Sequence, residues 1–107
     1  MAYGDWSVYE WDVEEVRPDE EFGDEVVEHY FQNSFADCLK KINEPTEDGR
    51  RWGICIVLDT ADRRSWAYMD MQSKTLPGFF EDAAGGRTRK VPRRFHKEVS
   101  KAQGATS

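Results

Sequence analysis

The stretch RWGICIVLDT, residues 51–60, constrains the fold more than any other part of the chain. In an extended conformation Trp52, Ile54, Ile56 and Leu58 fall on one side and Gly53, Cys55 and Val57 on the other, because successive strand side chains point to opposite faces. Both sides are apolar, which suits a strand buried in the middle of a sheet and predicts that this segment is the spine of the core. At 107 residues the chain has the size of one domain with one core. A hydrophobic content of 38% against 34% charged residues would by itself favour disorder. Four Trp, four Tyr and six Phe oppose that, since large aromatic side chains build a core from few residues.

The segments around the spine can be read by period. From Trp6 to Val16 the sequence WSVYEWDVEEV alternates, with Tyr9, Trp11 and Val13 on one side and Val8, Glu10, Asp12 and Glu14 on the other, which predicts a strand. RPDEEFGDE, residues 17–25, reads as a turn. Residues 24–43 admit two readings. One is a long amphipathic helix carrying Val27, Phe31, Phe35, Cys38 or Leu39, and Ile42. The other is a strand from Val26 to Gln32 followed by a helix from Ser34 to Asn43. We adopt the second, because Ser34 and Asp37 have capping-box spacing and Lys40 and Lys41 sit where a helix C-terminus favours positive charge.

After a loop and the spine, ADRRS turns the chain and WAYMDM supplies a further strand, close enough to residues 51–60 for a hairpin. Beyond Met71 the pattern weakens into a loop with a Pro77-Gly78 turn signal, a Phe79-Phe80 pair that could anchor it, and a break at Gly85-Gly86. VPRRFHKEVSKA then places Pro92 at a first helical position with Val91, Phe95, Val99 and Ala102 on one stripe, which predicts a short helix. The closing QGATS is expected to be disordered. The sum is a small single α+β domain with an antiparallel sheet in β-β-α-β-β order and a basic C-terminal helix or tail. Residues 1–86 form the compact part, and residues 87–107 form a basic helix and disordered tail, within the same domain or appended to it. The helix bearing Phe35, Leu39 and Ile42 covers one sheet face. The other face is expected to be partly apolar, partly acidic and open.

Charge is distributed unevenly along the chain. Residues 1–48 hold fifteen Asp or Glu against three Lys or Arg, while residues 49–107 hold six against twelve, so −12 and +6 give the net −6. Glu10, Asp12, Glu14, Glu15, Asp19, Glu20 and Glu21 lie on the first predicted hairpin. Along its first strand Glu10, Asp12 and Glu14 would stand about 7 Å apart on one face. That spacing compares with the repeat of phosphates along a nucleic-acid strand, so such a ladder could imitate a backbone and occupy a basic channel. The plainer use is a solvated face that keeps the protein soluble and protects an edge from pairing. Arg87, Arg89, Lys90, Arg93, Arg94, Lys97 and Lys101 could contact nucleic-acid phosphates, or fold back over the acidic hairpin as its counter-charge.

No pattern in the chain announces catalysis. His29 and His96 lie in unrelated contexts, and no HExxH, nucleophile elbow or phosphate-binding loop is present. Cys38 and Cys55 have no zinc-type or CxxC spacing and read as small reduced hydrophobes. We therefore expect no catalytic residue, no metal and no cofactor. The start MAYGDWSVYEW has no basic n-region or apolar h-region and no run approaches eighteen apolar residues, so a cytoplasmic protein without a membrane segment is expected.

The functional expectation is a small non-enzymatic protein that binds a partner with a basic surface. Its most specific form is a nucleic-acid-mimicking inhibitor of a host defence complex, of anti-CRISPR or anti-restriction type, carried by a phage or mobile element. The alternative is a nucleic-acid-binding accessory protein using the basic C-terminal segment. The aromatic and charged surfaces are also compatible with a homodimer.

Overall fold

The computed structural model describes residues 6–19 and 21–104. Six strands and two helices follow the order β1 (Ser7–Asp19), β2 (Gly23–Gln32), α1 (Phe35–Lys41), β3 (Arg51–Thr60), β4 (Arg64–Tyr68), β5 (Phe79–Asp82), β6 (Arg87–Lys90) and α2 (Arg93–Gly104). All strands join one antiparallel sheet in the order β2-β1-β3-β4-β5-β6. The architecture is that of an α+β domain, and β3 is an interior strand buried from Gly53 to Leu58, as its two apolar sides require. The particle measures 49 × 39 × 21 Å.

Local chemistry sets the boundaries. Asp19 Oδ1 accepts hydrogen bonds from the backbone N–H groups of Glu21 at 2.9 Å and Phe22 at 3.3 Å, and Gly23 takes a φ of 87°, which closes the first hairpin. Ser34 caps α1 by accepting from Asp37 N at 3.2 Å, and Lys40 and Lys41 fall in the last turn. Of the two readings of residues 24–43, the strand followed by a capped helix is the one observed.

The two helices lie on the same side of the sheet. Trp11 packs on Phe35 and Phe95, Tyr9 packs on Phe80 and Phe95, and Ile54, Ile56, Leu58, Cys38 and Val99 complete the apolar cluster. Glu98 of α2 ties this layer together: its carboxylate accepts from Trp11 Nε1 at 3.3 Å and from Phe35 N at 2.7 Å. That carboxylate satisfies a free N–H of the first turn of α1 from another helix.

Four expectations need correction. The weak-patterned segment after Met71 is not all loop, because Phe79–Asp82 and Arg87–Lys90 form a hairpin. Asp82 Oδ1 accepts from Ala84 N and Gly86 N there, and Gly85 adopts a φ of 81°. Strands of four residues give too little alternation to register as a period. The strand foreseen in WAYMDM is Arg64–Tyr68 instead, and Asp70 turns the chain by accepting from the N–H groups of Gln72 and Ser73. Gln103 and Gly104 belong to α2, while residues 105–107 lie outside the described part. Finally, the basic segment does fold against the first hairpin, through Phe95 and Arg94 on Tyr9 and Phe95 and Glu98 on Trp11, but not as an ionic counter-charge. Among the described residues no ion pair joins its cations to the hairpin acids.

Candidate functional site: an acid, thiol and imidazole cluster on the open sheet face

Strand alternation sends Asp12, Glu14, Cys55, Val57, Trp66 and Tyr68 to the face opposite the helices. Register then sets these residues beside one another. Asp12 pairs with Phe31 of β2 and Cys55 of β3, Glu14 pairs with His29 and Gly53, and Cys55 pairs with Tyr68 of β4. Residues far apart in sequence thus meet across three inter-strand spacings.

This arrangement overturns the solvent-facing acidic ladder. Glu10 is exposed, but Asp12 is 0% and Glu14 only 2% exposed, even though no helix covers them. Cross-strand neighbours supply the cover: His29 Nδ1 stands 2.7 Å from Asp12 Oδ2 and 3.6 Å from Glu14 Oε2, and the Tyr68 hydroxyl donates to Glu14 Oε2 at 3.3 Å. Phe31 stacks beside His29 with ring centroids 6.0 Å apart. Cys55 Sγ lies 3.9 Å from both Asp12 Oδ2 and Glu14 Oε2.

The other predicted acids scatter. Glu15 points to the helix side, where Arg50 donates to it at 2.8 Å and the Tyr30 hydroxyl at 3.3 Å. Asp19 serves its own turn, Glu21 is exposed, and Glu20 lies outside the described residues. The hairpin acids Glu25 and Asp24 pair with Arg17 and Arg51. The seven predicted cations Arg87, Arg89, Lys90, Arg93, Arg94, Lys97 and Lys101 are all exposed along β6 and α2. Two of them lie on rings, Arg87 over Phe79 at 5.0 Å and Arg94 over Tyr9 at 5.2 Å.

The electrostatics of the cluster follow from burial of like charges. Desolvation, and then the neighbouring Asp12 charge, push the Glu14 carboxyl above its ordinary value. Burial and the same two carboxylates push the Cys55 thiol strongly upward, and burial beside Glu14 raises the Tyr68 phenol. Glu15, one residue away, goes the other way, because its hydrogen bond from Arg50 holds it below the usual carboxylate range. Cys38, on the helix side, is pushed up to about 12 by burial. Both cysteines are free and buried.

Around the cluster the open face carries large apolar side chains that stay in water. Phe31 is 48%, Tyr68 51% and Phe79 39% exposed, and Trp66 and Tyr68 border a shallow pocket with Pro77, Phe79 and Glu81. Beside Glu14 the missing side chain of Gly53 leaves a groove of about 350 Å³, bordered by Val16, Val26, Arg51, Tyr68 and Met71. Neither His29 nor Cys55 stood out as part of a site in the sequence. The signal that could have found them was the shared parity of Asp12 and Glu14 with Cys55 across two confidently read strands.

Among the described residues no helix is long and apolar enough to cross a membrane. In comparison with known proteins, no family model, no curated protein and no solved structure matches this chain.

Proposed function

We propose that the protein is a non-catalytic interaction domain that docks a partner protein with a basic surface across the helix-free face of its sheet. The observation that carries this reading is the row of half-exposed aromatic residues, Phe31, Tyr68 and Phe79 with Trp66 between them, on a sheet face that no helix among the described residues covers. Tyr, Trp and Phe are the side chains that anchor protein interfaces, and a folded monomer gains nothing by leaving them in water. The preference for a basic partner comes from charge. Once Asp24–Arg51 and Asp59–Arg64 cancel, Glu10, Asp12, Glu14 and Glu81 outnumber Arg87 and Lys90 on this face. The same excess disfavours face-to-face pairing of two copies, since like charges would meet.

Inhibition of a host defence complex by imitation of nucleic acid is a narrower form of the same proposal. It would rest on the exposed acids Glu10, Glu21 and Glu28, which form no ion pair among the described residues, rather than on an Asp12–Glu14 ladder. The test is a photo-crosslinkable residue placed in turn at Phe31, at Phe79 and at Phe22 on the hairpin tip, followed by reconstitution with the purified crosslinked partner. We expect crosslinks from positions 31 and 79, and a tenfold or greater loss of affinity in F31S/Y68S. Crosslinking from position 22 alone, or full affinity in that variant, would overturn the choice of face.

A second reading is favoured by a separate observation: the seven cations of β6 and α2 are exposed and form no ion pair among the described residues. In that reading they bind nucleic acid. Removing residues after Gly86 is no test, because it also removes Phe95 and Val99 from the core. Replacing Arg89, Lys90, Arg93 and Lys97 by Gln leaves the core intact. Gel-shift affinity that is present, falls with salt and disappears in this variant would establish the reading.

A further inference from the structure

We propose that Asp12, Glu14, Cys55 and His29 form a binding site for one divalent transition-metal ion of the zinc class. The site lies beneath the aromatic face, and because an ion there would cancel the Asp12 and Glu14 charges, the preference for a basic partner belongs to the metal-free protein. Asp12, Glu14 and Cys55 can each offer one ligand atom, and these atoms lie within 4.8 Å of one another. A tetrahedral ion with bonds of about 2.0–2.3 Å would hold its ligand atoms about 3.3–3.8 Å apart. The observed separations approach that: 3.9 Å from Cys55 Sγ to each carboxylate, and 3.6 Å from His29 Nδ1 to Glu14 Oε2. The His29 to Asp12 separation, 2.7 Å, is shorter, because a hydrogen bond now occupies the place where an ion would enter. His29 stands outside the group of three that is mutually within 4.8 Å, so its ring has to turn inward to complete the set.

A separate sign points to a missing ligand. Asp12 is 0% exposed, and its Oδ1, the other oxygen of the carboxylate that reaches into the cluster, has no hydrogen-bond partner. Buried carboxylate oxygens are almost always paired, and an unpaired one costs its full desolvation. Two carboxylates in one buried spot also repel each other, and a divalent cation cancels both charges. The ligand set of two oxygens, one sulfur and one imidazole nitrogen suits zinc or cobalt better than magnesium or calcium, which prefer all-oxygen sites. His29 is half-exposed and can turn toward an ion, the groove beside Gly53 offers access, and the Tyr68 hydroxyl orients Glu14 in the manner of outer-shell partners. On binding, the ion takes the place of the Cys55 thiol proton, which passes to solvent, so uptake weakens as pH falls.

Cobalt(II) titrated into metal-free full-length protein tests the site. One equivalent should give the intense visible bands of a tetrahedral centre and a near-ultraviolet thiolate-to-cobalt charge-transfer band, both bleached by zinc. C38S should keep the charge-transfer band and C55S should lose it. Because C55S alters a buried position, H29A provides an independent arm: its ring is half-exposed, circular dichroism checks its fold, and cobalt affinity should fall roughly tenfold or more. Weak pale bands of octahedral cobalt, a charge-transfer band that survives in C55S, or unchanged affinity in H29A would each overturn the proposal. Loss of partner binding has no bearing on these readouts, so the two proposals fail separately.

Discussion

The two faces of this sheet use the same strands to opposite ends. On the helix side Trp11, Ile54, Ile56 and Leu58 meet Phe35, Phe80, Phe95 and Val99, and the carboxylates that enter are answered there, although the buried Ser65 hydroxyl opposite Leu58 is left without a partner. Glu98 receives Trp11 and Phe35, and Glu15 receives Arg50 and Tyr30. On the other side Asp12, Glu14 and Cys55 are equally dry, but their cover is a few side chains from neighbouring strands, and one carboxylate oxygen is left without a partner. Adjacent acids make the contrast plain: Glu15 is held below and Glu14 above the ordinary value. The difference lies in the kind of group left unmet: on the open face it is an oxygen of a carboxylate, which costs far more to bury unpaired than a hydroxyl does.

Phe35→Ala should break the covered face outright, costing ~3–5 kcal/mol in denaturant unfolding, whereas Phe31→Ala should cost ~0.5 kcal/mol or less. Equal losses would mean that the open face is a second core. Next in size, Glu98→Ala should cost about 1–3 kcal/mol, because it strips the partner from the Trp11 and Phe35 donors. Glu98→Gln should recover only the part of that loss that comes from accepting.

A smaller effect separates the two acids by sign. In the presence of a chelator, Glu14 binds its proton more tightly folded than unfolded, so its contribution to stability declines as pH rises from about 4.5 toward its raised value. Glu14→Gln should flatten that decline and raise the midpoint of thermal unfolding at pH 7. Glu15 binds its proton less tightly when folded, so its contribution is complete above about 4.5 and fades as pH falls through the lowered value. Glu15→Gln should accordingly lower the midpoint at pH 7, and shifts of the same sign in both variants would erase the distinction drawn between the faces. The smallest signal is chemical: with Cys38 pushed up to about 12, a thiol reagent at pH 8 should label it only at the rate of unfolding. Fast labelling of Cys38 in native protein would show that the covered face opens locally.

Much of the fold could be read from strong local signals. The doubly apolar run at 51–60, the alternation around Trp11 and the Ser34 cap each specify an element through chemistry within a few residues, and the structure carries all three. The hairpin of β5 and β6 could not be read by period, because four-residue strands hold too few alternations, although Asp82 and Gly85 encode its turn. The charge of the first strand misled for a related reason. Alternation gives the side on which Glu10, Asp12 and Glu14 fall, but not whether neighbouring strands close over it.

The sequence by itself therefore determined which residues share a face, because the two-residue period of a strand is a covalent and steric property of the backbone. Only the tertiary structure decided which residues meet. Register brought His29 to Glu14, Cys55 to Asp12 and Tyr68 to Cys55 from strands as many as 54 residues apart, as in the Tyr68 contact with Glu14. Register is fixed by the joint packing of all six strands against the two helices, and no short stretch of the chain contains that information.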